Sequence, residues 1–215
     1  MNETGGLSKR SDAMTNRARL LAVAQSVFAE AGLDLEVNDI ASRAQLGVGT
    51  LYRHLGNRED LLRAIVTRTV EDALAQMRSA IQPYADDPRA AFQALQALVA
   101  TGLRVQQQYR SLFAVIRDPR LTNLFDPTQG DAWREQFLGI AEGVIERGIL
   151  AGVFREDLDR DLAAATIIGS FTGVFDLLGQ HSPLAELEQR LSLFLWTMFA
   201  REFPSPQMGQ MKEQR

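Results

Sequence analysis

Apolar residues recur along this chain at intervals of three and four, and no sustained alternation interrupts them, the spacing of helices rather than strands. Leu20, Leu21, Ala24, Val27 and Phe28 share one face, Val37, Ile40, Ala41 and Ala44 a second, and Leu51 and Leu55 a third. The spacing and its breaks predict helices over roughly 13–31, 37–44, 48–55 and 58–81. A second series is predicted over roughly 88–108, 109–117, 119–124, 127–148, 160–178 and 183–202. Four starts carry a side-chain acceptor followed by proline: Asp87-Pro88, Asp118-Pro119, Asp126-Pro127 and Ser182-Pro183. Proline at the first helical position presets φ and lacks an N–H that would have no partner there. Pro83, Gly179 and Pro204 mark stops,.

The pattern predicts an all-α protein. Three short, closely spaced helices form an N-terminal module over 11–57. A larger helical body covers 58–203, joined through a long linker helix at 58–81. A polar tail occupies 204–215, Pro204 followed by SPQMGQMKEQR. Between the second and third helices lies Gln45-Leu46-Gly47, the length of the turn in a helix-turn-helix. Ala41 and Ala44 are small enough to let helices pass closely. With Leu51 and Leu55 turned inward, the third helix presents Val48, Gly49, Thr50, Tyr52, Arg53 and His54 outward.

Charge sharpens this picture. The chain of 215 residues has 27 acidic and 23 basic side chains, for a net charge of −4. Yet Ile40 to Arg58 contains no carboxylate, only Arg43, Arg53, Arg58, His54 and neutral groups. A carboxylate there would meet a polyanion at close range, so the gap fits a face built for nucleic acid. The expected DNA-facing set is Arg43, Gly47, Val48, Gly49, Thr50, Tyr52, Arg53, His54 and Arg58. Gly49 admits close backbone approach, Thr50 and Tyr52 offer hydroxyls, and Arg53 reaches phosphate or a guanine edge.

Composition narrows the alternatives. Hydrophobic residues make up 46% and charged residues 23%, which supports a real core. Cysteine is absent, so neither a disulfide framework nor a thiolate metal site is available. The polar start and the lack of an uncharged apolar run of roughly 18 residues predict a soluble cytoplasmic protein without membrane contact. Two histidines, no glycine-rich phosphate loop and no nucleophile–base order argue against an enzyme, and no cofactor or metal is expected. Asp157, Asp159 and Asp161 have the opening rhythm of a calcium loop, but Leu162 lacks the turn glycine and Ile168 replaces the bidentate glutamate.

The stretch GVGTLYRHLGNREDLL at 47–62 resembles the signature of TetR-type (tetracycline-repressor-like) transcriptional regulators. DIASRA at 39–44 and RLLAVAQSVFAEAG at 19–32 resemble that family's second and first helices. The resemblance implies that Thr50, Tyr52 and His54 contact or position the DNA backbone, with Val48, Gly49 and Arg53 near the major groove. Three positions depart from the pattern. Gln45 stands at the usual turn glycine, Leu55 at the usual aromatic, and Glu36 at the usual hydroxyl cap. The resemblance also implies a cavity in the body, within which Phe92, Leu95, Phe113, Ile116, Trp133, Phe137, Phe171 and Phe175 are the expected effector-contacting residues. Gln106, Tyr109, Arg117, Arg134 and Asp176 are the polar candidates. Few charges interrupt the apolar set, which favours a largely apolar small-molecule effector.

The segments at 160–178 and 183–202 are apolar on more than one face, more than one packing surface requires. They are expected to form a four-helix interface in a homodimer, whose paired reading helices match a palindromic operator. The expected function is a ligand-released repressor. A rival is a helical interaction protein whose helix-turn-helix docks onto protein.

Overall fold

The computed structural model describes residues 4–110, 125–179 and 181–201, with side chains from Arg17 onward except those of Leu33 and Pro127. Its helices are α1 (Thr4–Ala31), α2 (Val37–Arg43), α3 (Val48–Leu55), α4 (Arg58–Ile81), α5 (Ala91–Gln108), α6 (Pro127–Leu150), α7 (Arg160–Leu178) and α8 (Leu184–Phe199). Short 3-10 turns occupy Gly32–Asp34, Gln82–Tyr84 and Pro88–Ala90. Among the described residues the only β-type pairing is one isolated bridge. The fold is all-α. The helices expected at 109–117 and 119–124 lie almost wholly outside the described residues.

Two compact units emerge, residues 1–75 with 105–133, and residues 76–104 with 134–215. In the first, Leu20, Ala24, Val27 and Phe28 of α1 are buried, as are Ile40 and Ala41 of α2 and Leu51 and Leu55 of α3. Leu61, Leu62, Ile65 and Val66 of α4 are buried too. Apolar surface leaving water at about 25 cal/mol per Å² is what holds short helices that would be marginal alone. A polar clip adds to it: Gln25 of α1 donates to Thr69 and Asp72 of α4, both at 3.1 Å.

The caps explain the boundaries. Asp87 accepts from the Arg89 N–H at 3.0 Å and Asp126 from the Thr128 N–H at 2.9 Å, as the Asp-Pro starts predict. Asp159 accepts from the Leu162 N–H at 3.0 Å, making the acidic run the cap of α7. Ser182 does not play this part. The N-cap of α8 is Pro183, without a side-chain hydrogen bond, and the helix begins one residue later than the Ser-Pro rule predicts.

The start of the first helix and the end of the last also differ from expectation. Helix α1 starts at Thr4 rather than near residue 13, because no proline interrupts the polar start and polar residues are no bar to a helix. Helix α8 stops at Phe199 rather than near 202. There Ala200 turns extended and pairs with Phe154, through Arg155 N–H to Phe199 O at 2.9 Å and Arg201 N–H to Val153 O at 3.0 Å. This bridge ties the end of α8 to the α6–α7 connection within the second unit.

An aromatic cluster lies beside that bridge. Trp196 stands 4.4 Å from Phe92 and 5.9 Å from Phe154, centroid to centroid, and Phe154 lies 6.2 Å from Phe199. The Phe154 ring fills the space beside Gly148, where even a methyl group would overlap it. Sequence reading placed Phe92 among effector contacts and overlooked Phe154, Trp196 and Phe199. The signal lay in Gly152, whose φ of 68° lets the chain reverse after α6 and fold Phe154 back,.

Candidate nucleic-acid interface

The turn between α2 and α3 is fixed by a complete helix-stop motif. Leu46 N–H donates to Ala41 O at 2.9 Å and Gln45 N–H to Ser42 O at 3.0 Å. This Schellman pattern puts the first of the two donors along the chain, the residue just past the helix end, in the left-handed region, where it is usually glycine. Here it is Gln45, with φ of 56°, the only non-glycine at positive φ among the described residues. The turn keeps its geometry at a conformational penalty of about 1–2 kcal/mol for a residue with a Cβ.

The N-cap of helix α3 is Gly47, which supplies no side-chain cap. Its first N–H groups therefore have no side-chain acceptor from the N-cap residue, the arrangement that suits an outside anion. Gly47 has an ordinary φ of −74°. A Cβ at Gly47 or Gly49 would meet nothing within 4 Å. Neither intramolecular packing nor, at Gly47, backbone conformation accounts for these glycines. They leave open space in front of the helix.

On the outer surface Tyr52 and Arg53 are exposed, while Val48, Thr50 and His54 are half-buried. Leu51 and Leu55 are buried on the reverse side. Arg58 is exposed at the start of α4. Gly56, at φ of 78°, makes the tight α3–α4 connection. Asn57 and Asp60 then cap α4 reciprocally: the Asp60 N–H donates to Asn57 Oδ1 at 2.9 Å and the Asn57 N–H to Asp60 Oδ2 at 3.1 Å. This capping box fixes where Arg58 emerges.

Arg43, one member of the expected set, is tied to a neighbouring helix. Its guanidinium forks onto the Glu30 carboxylate at 2.6 and 2.5 Å, tying α2 to α1. That hydrogen bond holds the Glu30 carboxyl below its ordinary range and the Arg43 group above its own.

The expected effector residues are less unified. Leu95, Phe171 and Phe175 are buried within the second unit. Phe171 packs over Gly102, and Phe175 over Gly179. Phe92 is held by Trp196, and Phe137 is half-buried. Trp133 belongs to the first unit, where it meets Phe125 edge-on at 5.5 Å. Phe113 and Ile116 lie outside the described residues, as does Arg117. Of the other polar candidates Gln106 is buried, Tyr109 half-buried, and Arg134 and Asp176 exposed.

Comparison with known proteins settles the class. Residues 20–65 match the model for bacterial regulatory proteins of the tetR family. The chain is 30% identical over 171 residues to the HTH-type transcriptional repressor KstR2 of Rhodococcus jostii, covering 75% of this chain and 76% of that protein. The chain belongs to the TetR family. The TetR-family fold extends beyond the matched module. The ketosteroid transcriptional regulator KstR2 of Mycobacterium tuberculosis superposes with a TM-score of 0.64 at 23% identity, over 86% of this chain and 95% of that one. The regulator FadR from Bacillus subtilis, in complex with stearoyl-CoA, gives 0.65 at 22% identity over 84% and 97%. The protein is thus a DNA-binding transcriptional regulator by family, and its matched relatives are regulators rather than enzymes.

Proposed function

We propose that this TetR-family member is a repressor that binds a palindromic operator as a homodimer and is released by a largely apolar small molecule. The observation that carries the DNA-contacting part is the outer surface of α3: free of carboxylates, uncapped at its N-terminus, open above two glycines, with Tyr52 and Arg53 exposed. On this reading Gly47, Val48, Gly49, Thr50, Tyr52, Arg53, His54 and Arg58 face DNA. Arg43 contributes either by holding α2 on α1 or by exchanging Glu30 for a phosphate. The reading module is 11–57, the effector and dimer body 58–203, and 204–215 a tail.

The second copy is proposed to sit on α7 and α8. Leu162, Leu177, Leu193, Phe194 and Met198 are exposed there, although large apolar side chains gain about 1.5–3 kcal/mol each when fully buried. Ala164, Phe175, Leu187, Leu191 and Leu195 of the same two helices are buried within the protomer and serve its own core. By length and composition α7 could cross a membrane. Its inward row, Ala163, Ala164, Ile167, Phe171 and Phe175, is instead buried against the protein. The exposed row is left for a partner.

The apolar character of the effector rests on the buried and half-buried Phe92, Leu95, Phe137, Phe171 and Phe175. The likeness to regulators described with a ketosteroid role and with stearoyl-CoA supports it. The effector is proposed to act by tilting α4, an uninterrupted rod of about 36 Å at 1.5 Å per residue, and so changing the separation of the two α3 helices. Only a ligand that prefers one arrangement can do this.

Selection of binding sites from a randomised duplex library tests the reading. Enrichment of a two-fold symmetric sequence, bound as a dimer with affinity falling steeply with salt, is the expected result. A protein that enriches nothing above background is not a sequence reader.

A further inference from the structure

We propose that Arg17 and Arg19 of α1 extend the DNA footprint beyond the helix-turn-helix, each taking a backbone phosphate of the operator. This rests on the reading of α3 as the DNA-contacting helix and adds a second element to it. Both residues precede the stretch, 20–65, that matches the family model.

The first observation is which cations are already committed. In the same unit Arg43 is paired with Glu30, Arg63 with Asp60 at 3.1 Å and Arg68 with Asp72 at 3.0 Å. Arg17 and Arg19 are exposed, and neither forms an ion pair or hydrogen bond with a described residue. Guanidinium groups with no partner among the described residues are the ones available to an outside anion.

The second observation is where they stand. Two residues apart on a helix, they point about 200° from each other around its axis. His54, near the end of α3, borders two separate surface hollows. Arg17 lines one of these and Arg19 the other. The two cations therefore flank the C-terminal part of α3 from opposite sides. The hollow beside Arg17 also contains Asp60 and Glu71. Asp60 is already held by Arg63 and by the α4 cap, which leaves Glu71 as the opposing charge.

The chemistry points to phosphate rather than bases. In helix-turn-helix proteins the helices outside the groove cross the backbone, and contacts there orient the protein without reading sequence. Each phosphate neutralised releases condensed counterions, giving about 0.9 in the slope of log affinity against log salt.

The test uses full-length protein, the duplex it enriches from a randomised library, and a scrambled duplex of equal length. The double variant R17Q/R19Q should lower the slope by about 3.6 for a dimer that loses four phosphate contacts, while its preference for the enriched over the scrambled duplex is unchanged. R17K/R19K should retain the slope. R155Q/R201Q, which removes the same charge from two paired arginines of the second unit, controls for net charge. Melting temperatures of all variants check folding. A wild-type slope in R17Q/R19Q, or an equal fall in R155Q/R201Q, overturns the proposal while leaving α3 as the reader. Wild-type protein that prefers no duplex overturns both.

Discussion

Among the described residues, the outer faces of α3 and of α7 with α8 are both exposed, and they have opposite chemistry. On α3 the exposed groups are Tyr52, Arg53 and open glycines, with backbone donors at an uncapped helix start. On α7 and α8 they are Leu162, Leu177, Phe194 and Met198. The same helical period lies beneath both. Exposure alone says only that a partner is available; the side chains say which kind. A polar, carboxylate-free face gains nothing from meeting its own copy and much from meeting phosphate. An apolar face gains from leaving water by any close-packed contact, and a second copy offers the same surface in return.

The largest effect is expected on the apolar side. L177E/F194E should abolish the homodimer, since two side chains worth about 1.5–3 kcal/mol each are replaced by charges in every protomer. Sedimentation velocity would report monomers, and operator affinity should fall with them. A surviving dimer would mean that the partner sits elsewhere. On the polar side, Y52A and R53A should each weaken operator binding by about 1–3 kcal/mol where a base is contacted, with the dimer intact by sedimentation. If either alters the oligomeric state instead, the two surfaces are not separate in function.

Smaller effects test the scaffold that sets the polar face. Q45G should stabilise the protein by about 1 kcal/mol in chemical denaturation, because glycine adopts φ of 56° without a Cβ penalty,. G56A should do the reverse by at least about 1 kcal/mol, since its Cβ would fall 2.5 Å from an Asp60 oxygen at positive φ. Equal effects of opposite sign in DNA affinity would show that the turn limits reading as well as stability.

The smallest effect concerns pH. The Arg43 hydrogen bond lowers the Glu30 carboxyl, so its contribution is present above the ordinary glutamate range and lost as pH falls through the lowered value. E30Q should flatten the acid limb of a stability–pH curve and lower the neutral plateau by the same small amount, as for an exposed pair. An unchanged acid limb would show that the pair holds nothing in place.

Much of this was legible in the chain alone. Leu51 and Leu55 against Tyr52 and Arg53 fix which side of α3 can be outside, because a period of 3.6 permits one assignment once the apolar pair is buried. The missing carboxylates between Ile40 and Arg58 named the partner, and the Asp-Pro pairs marked two helix starts. Gln45 announced an unusual turn, but only the fold forced its left-handed φ, through hydrogen bonds to Ser42 and Ala41.

Other decisions belonged to tertiary structure. Leu191, Leu195, Phe194 and Met198 read alike in α8, yet the first two are buried and the others exposed. Periodicity defines a face without saying what packs against it. The end of α8 at Phe199, the commitment of Arg43 to Glu30 and the clustering of Phe92 with Trp196 were likewise settled by residues distant in sequence. Local spacing carries information about neighbours three and four positions away. Which cations stay free, and which apolar rows stay wet, depends on contacts that only the folded chain assembles.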